Sequence, residues 1–181
     1  GARRGDVFLD DDCCLKFLSL VADTVERFAV EVHGYALMPN HFHLMVATPR
    51  GNLSPAMRYL VSNYARWLNV TRGWDGPVFR GRFKSRLVED DAYWMHLLAY
   101  LHLNPVRAGL VRSVDRGRWT SHAAYVSAET PPEWLTTDEL HAGFEPLGGY
   151  EAYVRDLRKR AEPGPTGFEP DKLFPRPAAG E

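Results

Sequence analysis

His41 and His43 stand one residue apart in the apolar run YALMPNHFHLMVAT, residues 35–48. In an extended strand, residues i and i+2 project from the same face. The two imidazoles therefore point together, while Phe42 and Leu44 face the other way into a core. Two neutral imidazoles held close can share one divalent cation. The same spacing also suits two hydrogen-bonded histidines on a half-exposed sheet face, and spacing alone leaves both readings open. Tyr100 and Asn104 form a second pair, four apart in DDAYWMHLLAYLHLNP, and share one face of a helix. Asn104 offers a carbonyl oxygen, a hard ligand that suits Mg²⁺ or Mn²⁺. Tyr100, one turn earlier, would lie next to such an ion, with His96 a further turn back as a helper. Tyr93 and Leu97 read as the buried side of the same helix. For Tyr100 the pattern leaves burial and chemistry equally open.

A tyrosine is a poor ligand beside a metal but a useful nucleophile. Its phenol ordinarily titrates near pH 10, so it needs a neighbouring cation or base to react as phenolate. A divalent ion on a phosphate would polarise the phosphorus and stabilise the charge that builds during attack. The product would be a phosphotyrosine bond and a free hydroxyl on the departing strand, which keeps the phosphodiester energy for rejoining.

Charge is distributed to match. The chain carries 22 basic and 23 acidic side chains. Residues 50–86 alone hold eight basic ones (Arg50, Arg58, Arg66, Arg72, Arg80, Arg82, Lys84 and Arg86) against Asp75. A concentrated positive stretch inside a near-neutral protein suits a polyanion, although a solvated face paired with acidic flanks would read the same way. Tyr64, Trp67, Trp74, Phe79 and Phe83 lie among these cations. Some could stack on unpaired bases, but Tyr64 and Trp67, inside an amphipathic pattern, fit a core better.

The elements that must position these residues can be read in order. DDDCCLKFLSLVADTVERFAVEV, residues 10–32, predicts a helix that Asp10–Asp12 cap and charge favourably. VHGYALMP and HFHLMVAT predict two strands reversing at Pro39–Asn40, a hairpin. LSPAMRYLVSNYARWLNVTRG predicts a helix started by Ser54–Pro55 and stopped by Gly73. GPVFRGRFKSRLVE reads as a basic loop running into a short strand. The Tyr100 helix would be capped by Asp90 or Asp91 and stop before Pro105. This order predicts an α+β domain, an antiparallel sheet covered by helices, over residues 1–122. Residues 123–181 read as a C-terminal extension, with short helices at 133–143 and 148–160 and a Pro/Gly-rich end.

The chain has 181 residues, 45% hydrophobic and 12% aromatic, enough for one packed domain and its extension and unlike a disordered chain. No run is long and apolar enough to cross a membrane, and no signal-peptide pattern opens the chain. Cys13 and Cys14 are adjacent and rarely bridge in that arrangement, which suggests a reduced, cytoplasmic setting.

YALMPNHFHLMV, FRGRFKSRLVEDDAYWMHLLAYLHLNPVRAGLV and WTSHAAY together resemble the REP-associated tyrosine transposases, a branch of the single-tyrosine HUH transposases. The match spans roughly residues 3–126. The resemblance implies a ferredoxin-like α+β fold, an antiparallel sheet with helices on one face, and metal-dependent cutting and rejoining of single-stranded DNA near hairpins. It implies His41 and His43 as ligands of Mg²⁺ or Mn²⁺, Asn104 as the helix-borne third ligand, and Tyr100 as the nucleophile. It places Arg80, Arg82, Lys84 and Arg86 on the DNA backbone. Arg58 and Arg66, from the same positive stretch, and Arg107 are expected to contact DNA as well. Monomer and homodimer both fit. Family members begin with an additional strand of the kind YHVTSRGN, whereas this chain opens at GARRGDVF. The expected sheet therefore lacks that strand beside the histidines and has an open edge.

Two other functions fit parts of the pattern. One is a non-catalytic nucleic-acid-binding module derived from a transposase. The other is a metallo-hydrolase acting on a small phosphodiester, for which His33 and His96 are the available extra ligands or bases.

Overall fold

The computed structural model describes residues 5–79, 81–89, 91–127 and 130–160. Helix α1 spans Asp11–Phe28 and starts as expected: Asp10 is extended, and its carboxylate accepts from the Cys13 amide at 2.9 Å. It ends earlier than its apolar pattern suggests. Ala29 adopts a left-handed conformation (φ 49°), which turns the chain out of the helix and into strand β1, Glu31–Met38.

Strand β2, His41–Ala47, returns antiparallel after the Pro39–Asn40 reversal. Tyr35 faces Leu44, Ala36 faces His43 and Met38 faces His41 across the ladder. The register shifts between Val32 and Gly34, which leaves His33 as an extra residue on β1.

Helix α2, Leu53–Arg72, closes on Gly73 (φ 60°) as expected. Its start differs: the helix begins at Leu53, and the side chain of Asn52 donates to the Phe28 carbonyl at 2.7 Å rather than capping its own helix. Helix α3, Asp91–Arg107, runs through Pro105 instead of stopping before it. The proline lies in the final turn, where its missing amide removes one hydrogen bond. The turn is closed beyond it by Ala108 donating to Asn104 and Leu110 donating to Pro105, both at 2.9 Å. Asp90 and the side chain of Asp91, the expected caps, lie outside the described residues.

The α+β class holds, with a two-stranded sheet among the described residues. The strand expected in RLVE is not formed: residues 83–89 are irregular, and Leu87 is largely exposed. The outer edge of β1 is already occupied. Leu37 donates to Trp119 at 2.9 Å, Ser121 to Tyr35 at 3.0 Å and Thr136 to Val32 at 2.8 Å.

Helices cover both faces of the hairpin rather than one. Phe17 of α1 and Leu60, Tyr64 and Leu68 of α2 pack with Val32, Leu37, Phe42 and Leu44 on one side. Leu98, Ala99 and Leu101 of α3 pack with Ala36 and Met45 on the other. Three further helices, α4 (Ala123–Val126), α5 (Asp138–Phe144) and α6 (Tyr150–Arg160), extend that second core through Tyr125, Leu140, Phe144, Tyr150 and Val154. The short helices read from the sequence are thus present, beginning a few residues late. The Pro/Gly-rich end lies outside the described residues. Cys13 and Cys14 are free and buried. No helix among the described residues is long and apolar enough to cross a membrane.

Candidate active site

His43 and Met45 alternate with Phe42, Leu44 and Val46 along β2. Because Phe42, Leu44 and Val46 enter the α1–α2 core and Met45 the α3 core, the histidines lie on the α3 face. Their Nε2 atoms converge to 3.2 Å, with the rings at 89°. Asn40, in the hairpin turn, fixes the first ring. Its Oδ1 lies 2.7 Å from His41 Nδ1 and accepts that nitrogen's proton, which leaves the lone pair of His41 on Nε2. Burial first, and His41 second, hold His43 well below the ordinary histidine range. A neutral ring is the form that ligates a cation.

The residues present fit a divalent cation. Two nitrogens each about 2.1 Å from one ion, at 90–109° to each other, lie about 3.0–3.4 Å apart, which brackets the observed separation. Among the described residues no third histidine, cysteine or carboxylate completes the set. Further ligands must then be an amide, water or substrate oxygens. Asn104 is the amide available. It is buried, and its side-chain nitrogen has no hydrogen-bond partner. The two ends of an amide are interchangeable by rotation, so the same position can present the carbonyl oxygen.

Helix α3 is brought against the histidine strand's neighbour by Gly34. A Cβ there would lie 2.5 Å from Leu98 Cδ1, so the helix approaches the backbone as closely as a glycine allows. Tyr100 and Asn104 sit on successive turns of this helix, both buried. The Arg107 guanidinium carbon stands 4.5 Å from the centre of the Tyr100 ring. A cation over a phenol favours its phenolate form.

The basic residues divide between layers. Arg58 and Arg66 are exposed on α2, on the other side of the hairpin from α3, and Arg66 donates to Asn63 at 2.5 Å. Arg82, Lys84 and Arg86 are exposed along the irregular loop. Arg86 turns back over Tyr93 at 5.4 Å, so it lies against α3 like Arg107. Arg80 lies outside the described residues. Among the aromatics, Tyr64 is wholly buried, and Trp67, Trp74, Phe79 and Phe83 pack against the same core.

His96 and His33 are drawn elsewhere. His96 Nδ1 lies 3.3 Å from the Tyr153 hydroxyl of α6. His33 is buried at the bulge, edge-on to Trp94 at 4.9 Å. Three residues with no sequence-derived role prove central to how α3 is held: His102, Ser121 and Tyr150. His102 was detectable as a histidine between two leucines, Leu101 and Leu103. Its partners were not, because they lie 19 and 48 positions away.

Residues 2–102 match the family described as IS200-like transposases. A Haemophilus influenzae protein bearing the name REP-associated tyrosine transposase is 28% identical over 129 residues, covering 65% of this chain and 73% of that one. A solved structure described as a REP-associated tyrosine transposase bound to a REP hairpin superposes with a TM-score of 0.59. It is 17% identical and covers 75% of this chain and 79% of the other, a likeness of fold.

Proposed function

The chain belongs to the IS200-like transposase family, and from that premise we propose that it cuts and rejoins single-stranded DNA beside a hairpin, with Tyr100 as nucleophile. The observation that carries this reading is the convergence of two histidine Nε2 atoms on the face of the hairpin that α3 covers, with Tyr100 and Asn104 on that helix. The hairpin-bound relative supports hairpin DNA as the substrate class.

His41, His43 and Asn104 would hold Mg²⁺ or Mn²⁺. When bound, the ion supplies Lewis-acid polarisation of the scissile phosphate. Tyr100 gives its proton to water, Arg107 stabilises the phenolate, and Oη attacks phosphorus. The phosphorus–oxygen bond to the departing strand breaks, and that oxygen leaves as a hydroxyl after taking up a proton. The phosphotyrosine bond then awaits attack by another strand's hydroxyl. Arg82, Lys84 and Arg86 hold the phosphates of the strand.

The test mixes the protein with a hairpin oligonucleotide carrying unpaired flanks and Mn²⁺, and looks for a covalent adduct on a denaturing gel. Wild type is expected to give it and Tyr100→Phe none. Equal adduct from both would remove Tyr100 from the mechanism. Salt-sensitive binding without adduct from wild type at any metal concentration would favour a binding module instead. A hydrolase built on His33 or His96 is disfavoured because both rings are packed into other contacts, and hydrolysis surviving Tyr100→Phe would be its mark.

A further inference from the structure

His102 occupies α3 midway between Tyr100 and Asn104. At 100° per residue it points about 200° from each, so it lies on the opposite side of the helix. The ring is wholly buried. Its Nδ1 meets the Tyr150 hydroxyl, and its Nε2 lies 2.6 Å from Ser121 Oγ. Among the described residues no carboxylate touches it, and a charged ring buried between two hydroxyls would be uncompensated, so it is neutral.

The direction of each hydrogen bond then follows from the surface inward. The exposed carboxylate of Asp115 can only accept, and it lies 3.2 Å from His122 Nε2, which donates. A neutral His122 is left with its lone pair on Nδ1, 3.4 Å from the Tyr150 hydroxyl, which donates to it. Tyr150 Oη therefore accepts from His102 Nδ1–H. His102 Nε2 accepts from the Ser121 hydroxyl. Ser121 Oγ in turn accepts the Tyr35 amide of β1 at 2.9 Å. Ser121 Oγ also lies 3.4 Å from the Tyr35 carbonyl, and its single proton goes to the much nearer His102 Nε2 at 2.6 Å. Each donor in this series is then used once, and both imidazoles are satisfied at both nitrogens.

We propose that this directed chain, from the Tyr35 amide through Ser121, His102, Tyr150 and His122 to Asp115, makes His102 a positioning residue that sets the rotation and register of α3 against the histidine hairpin. The inference rests on the proposed role of Tyr100. Residues 115–150 thereby clamp the back of the helix whose front carries the nucleophile. Tyr35 stands next to Ala36, the cross-strand partner of His43, so one end of the chain is fixed to the metal strand's own ladder.

The chain is read first without DNA. Imidazole ¹⁵N correlation spectra are expected to show Nδ1–H on His102 and Nε2–H on His122. The opposite tautomer on His102 overturns the chain, whatever the activity. Tyr150→Phe keeps the ring packed on Phe144 but removes the hydroxyl. Its adduct rate at saturating hairpin DNA should fall about tenfold, with the DNA dissociation constant within about twofold. Asp115→Ala, at an exposed position that leaves folding alone, should lower the rate about threefold, and Asp115→Asn, which still accepts, should restore it. Wild-type rates in a cooperatively melting Tyr150→Phe protein, or equal rates for Asp115→Ala and Asp115→Asn, overturn the positioning role. If wild type itself forms no adduct, the proposed function is what fails. The tautomers, and faster amide exchange in residues 98–104 of Tyr150→Phe, then still decide whether the chain holds the helix.

Discussion

Gly34→Ala is the sharpest probe of how the site is assembled. The added Cβ would stand 2.5 Å from Leu98 Cδ1. Two carbons rest about 3.5–4.0 Å apart, so strand and helix must separate by about 1 Å unless Leu98 swings away. Leu98 is wholly buried within the α3 core, so any swing is into packed neighbours rather than into solvent. Overpacking of this kind costs about 1–3 kcal/mol. A displacement of about 1 Å between reacting groups lowers a rate by about a hundredfold. Stability would be read by urea unfolding and reaction by the rate of covalent adduct on hairpin DNA. The control is Leu98→Ala, which alone should cost about 2–5 kcal/mol through its cavity. In the double variant the new methyl moves into that cavity. The combined loss should fall short of the sum of the singles by at least about 1 kcal/mol, with part of the adduct rate regained. If Gly34→Ala is as stable and as fast as wild type, or if the two losses simply add, then α3 is not held against β1 at this contact.

Other outcomes follow from the same structure. In hairpin-free protein, Mn²⁺ at about a hundred times its dissociation constant should stabilise the fold by about 2.7 kcal/mol. His43→Ala should abolish that rise, and chelation should abolish the adduct while the cooperative melt remains. Burial holds both His33 and His122 below the ordinary histidine value of 6.5, outweighing Glu31 beside the first and Asp115 beside the second. The unfolded chain therefore binds more protons. The stability due to neutral rings is complete above about pH 6.5 and declines below it, by up to about 1.4 kcal/mol per pH unit for each ring. Urea midpoints that stay flat from pH 7 down to pH 5 would contradict this. Arg107→Ala should slow adduct formation by more than it weakens DNA binding, since the guanidinium lies over the Tyr100 ring. Equal losses in both would make it a backbone contact only. Arg82→Ala and Lys84→Ala should each lower the salt dependence of hairpin binding by up to about one unit in log–log slope, with little change in reaction at saturating DNA.

Much of this arrangement is legible in local sequence. The Asp10 cap, the Pro39–Asn40 reversal and the Gly73 stop are decided by residues within a few positions of one another, and each forms as expected. The histidines share a face because a strand alternates, and Tyr100 and Asn104 share one because a helix turns every 3.6 residues. What was not legible depends on distant partners. Ala29 takes a left-handed conformation usually left to glycine, so the end of α1 carried no local mark. Pro105 continues α3 because later amides close the last turn. The stretch RLVE has strand-like residues, but residues 119–121 and 136 occupy the outer edge of β1. Helices on both faces follow from β1 being buried on both sides. Its run EVHGYALM, with a bulge at His33, blurs the alternation that would have shown which side was covered. The chain through His102 joins residues 35, 121, 102 and 150, and no spacing rule links them.

That last feature bears on when the protein becomes competent while it is being made. The ribosome adds about 5–20 residues per second. Roughly 50 residues separate Tyr100 from Tyr150, so about 3–10 s pass between their additions. Throughout that interval Tyr100 and both histidines exist, but the proposed clamp on the back of α3 has no hydroxyl to close on. A nascent or truncated chain ending before Tyr150 would thus carry Tyr100, Asn104 and both histidines and still lack the contact proposed to hold α3 in place. On the proposed reading, the order of the residues along the chain holds back the cut until Tyr150 has been added.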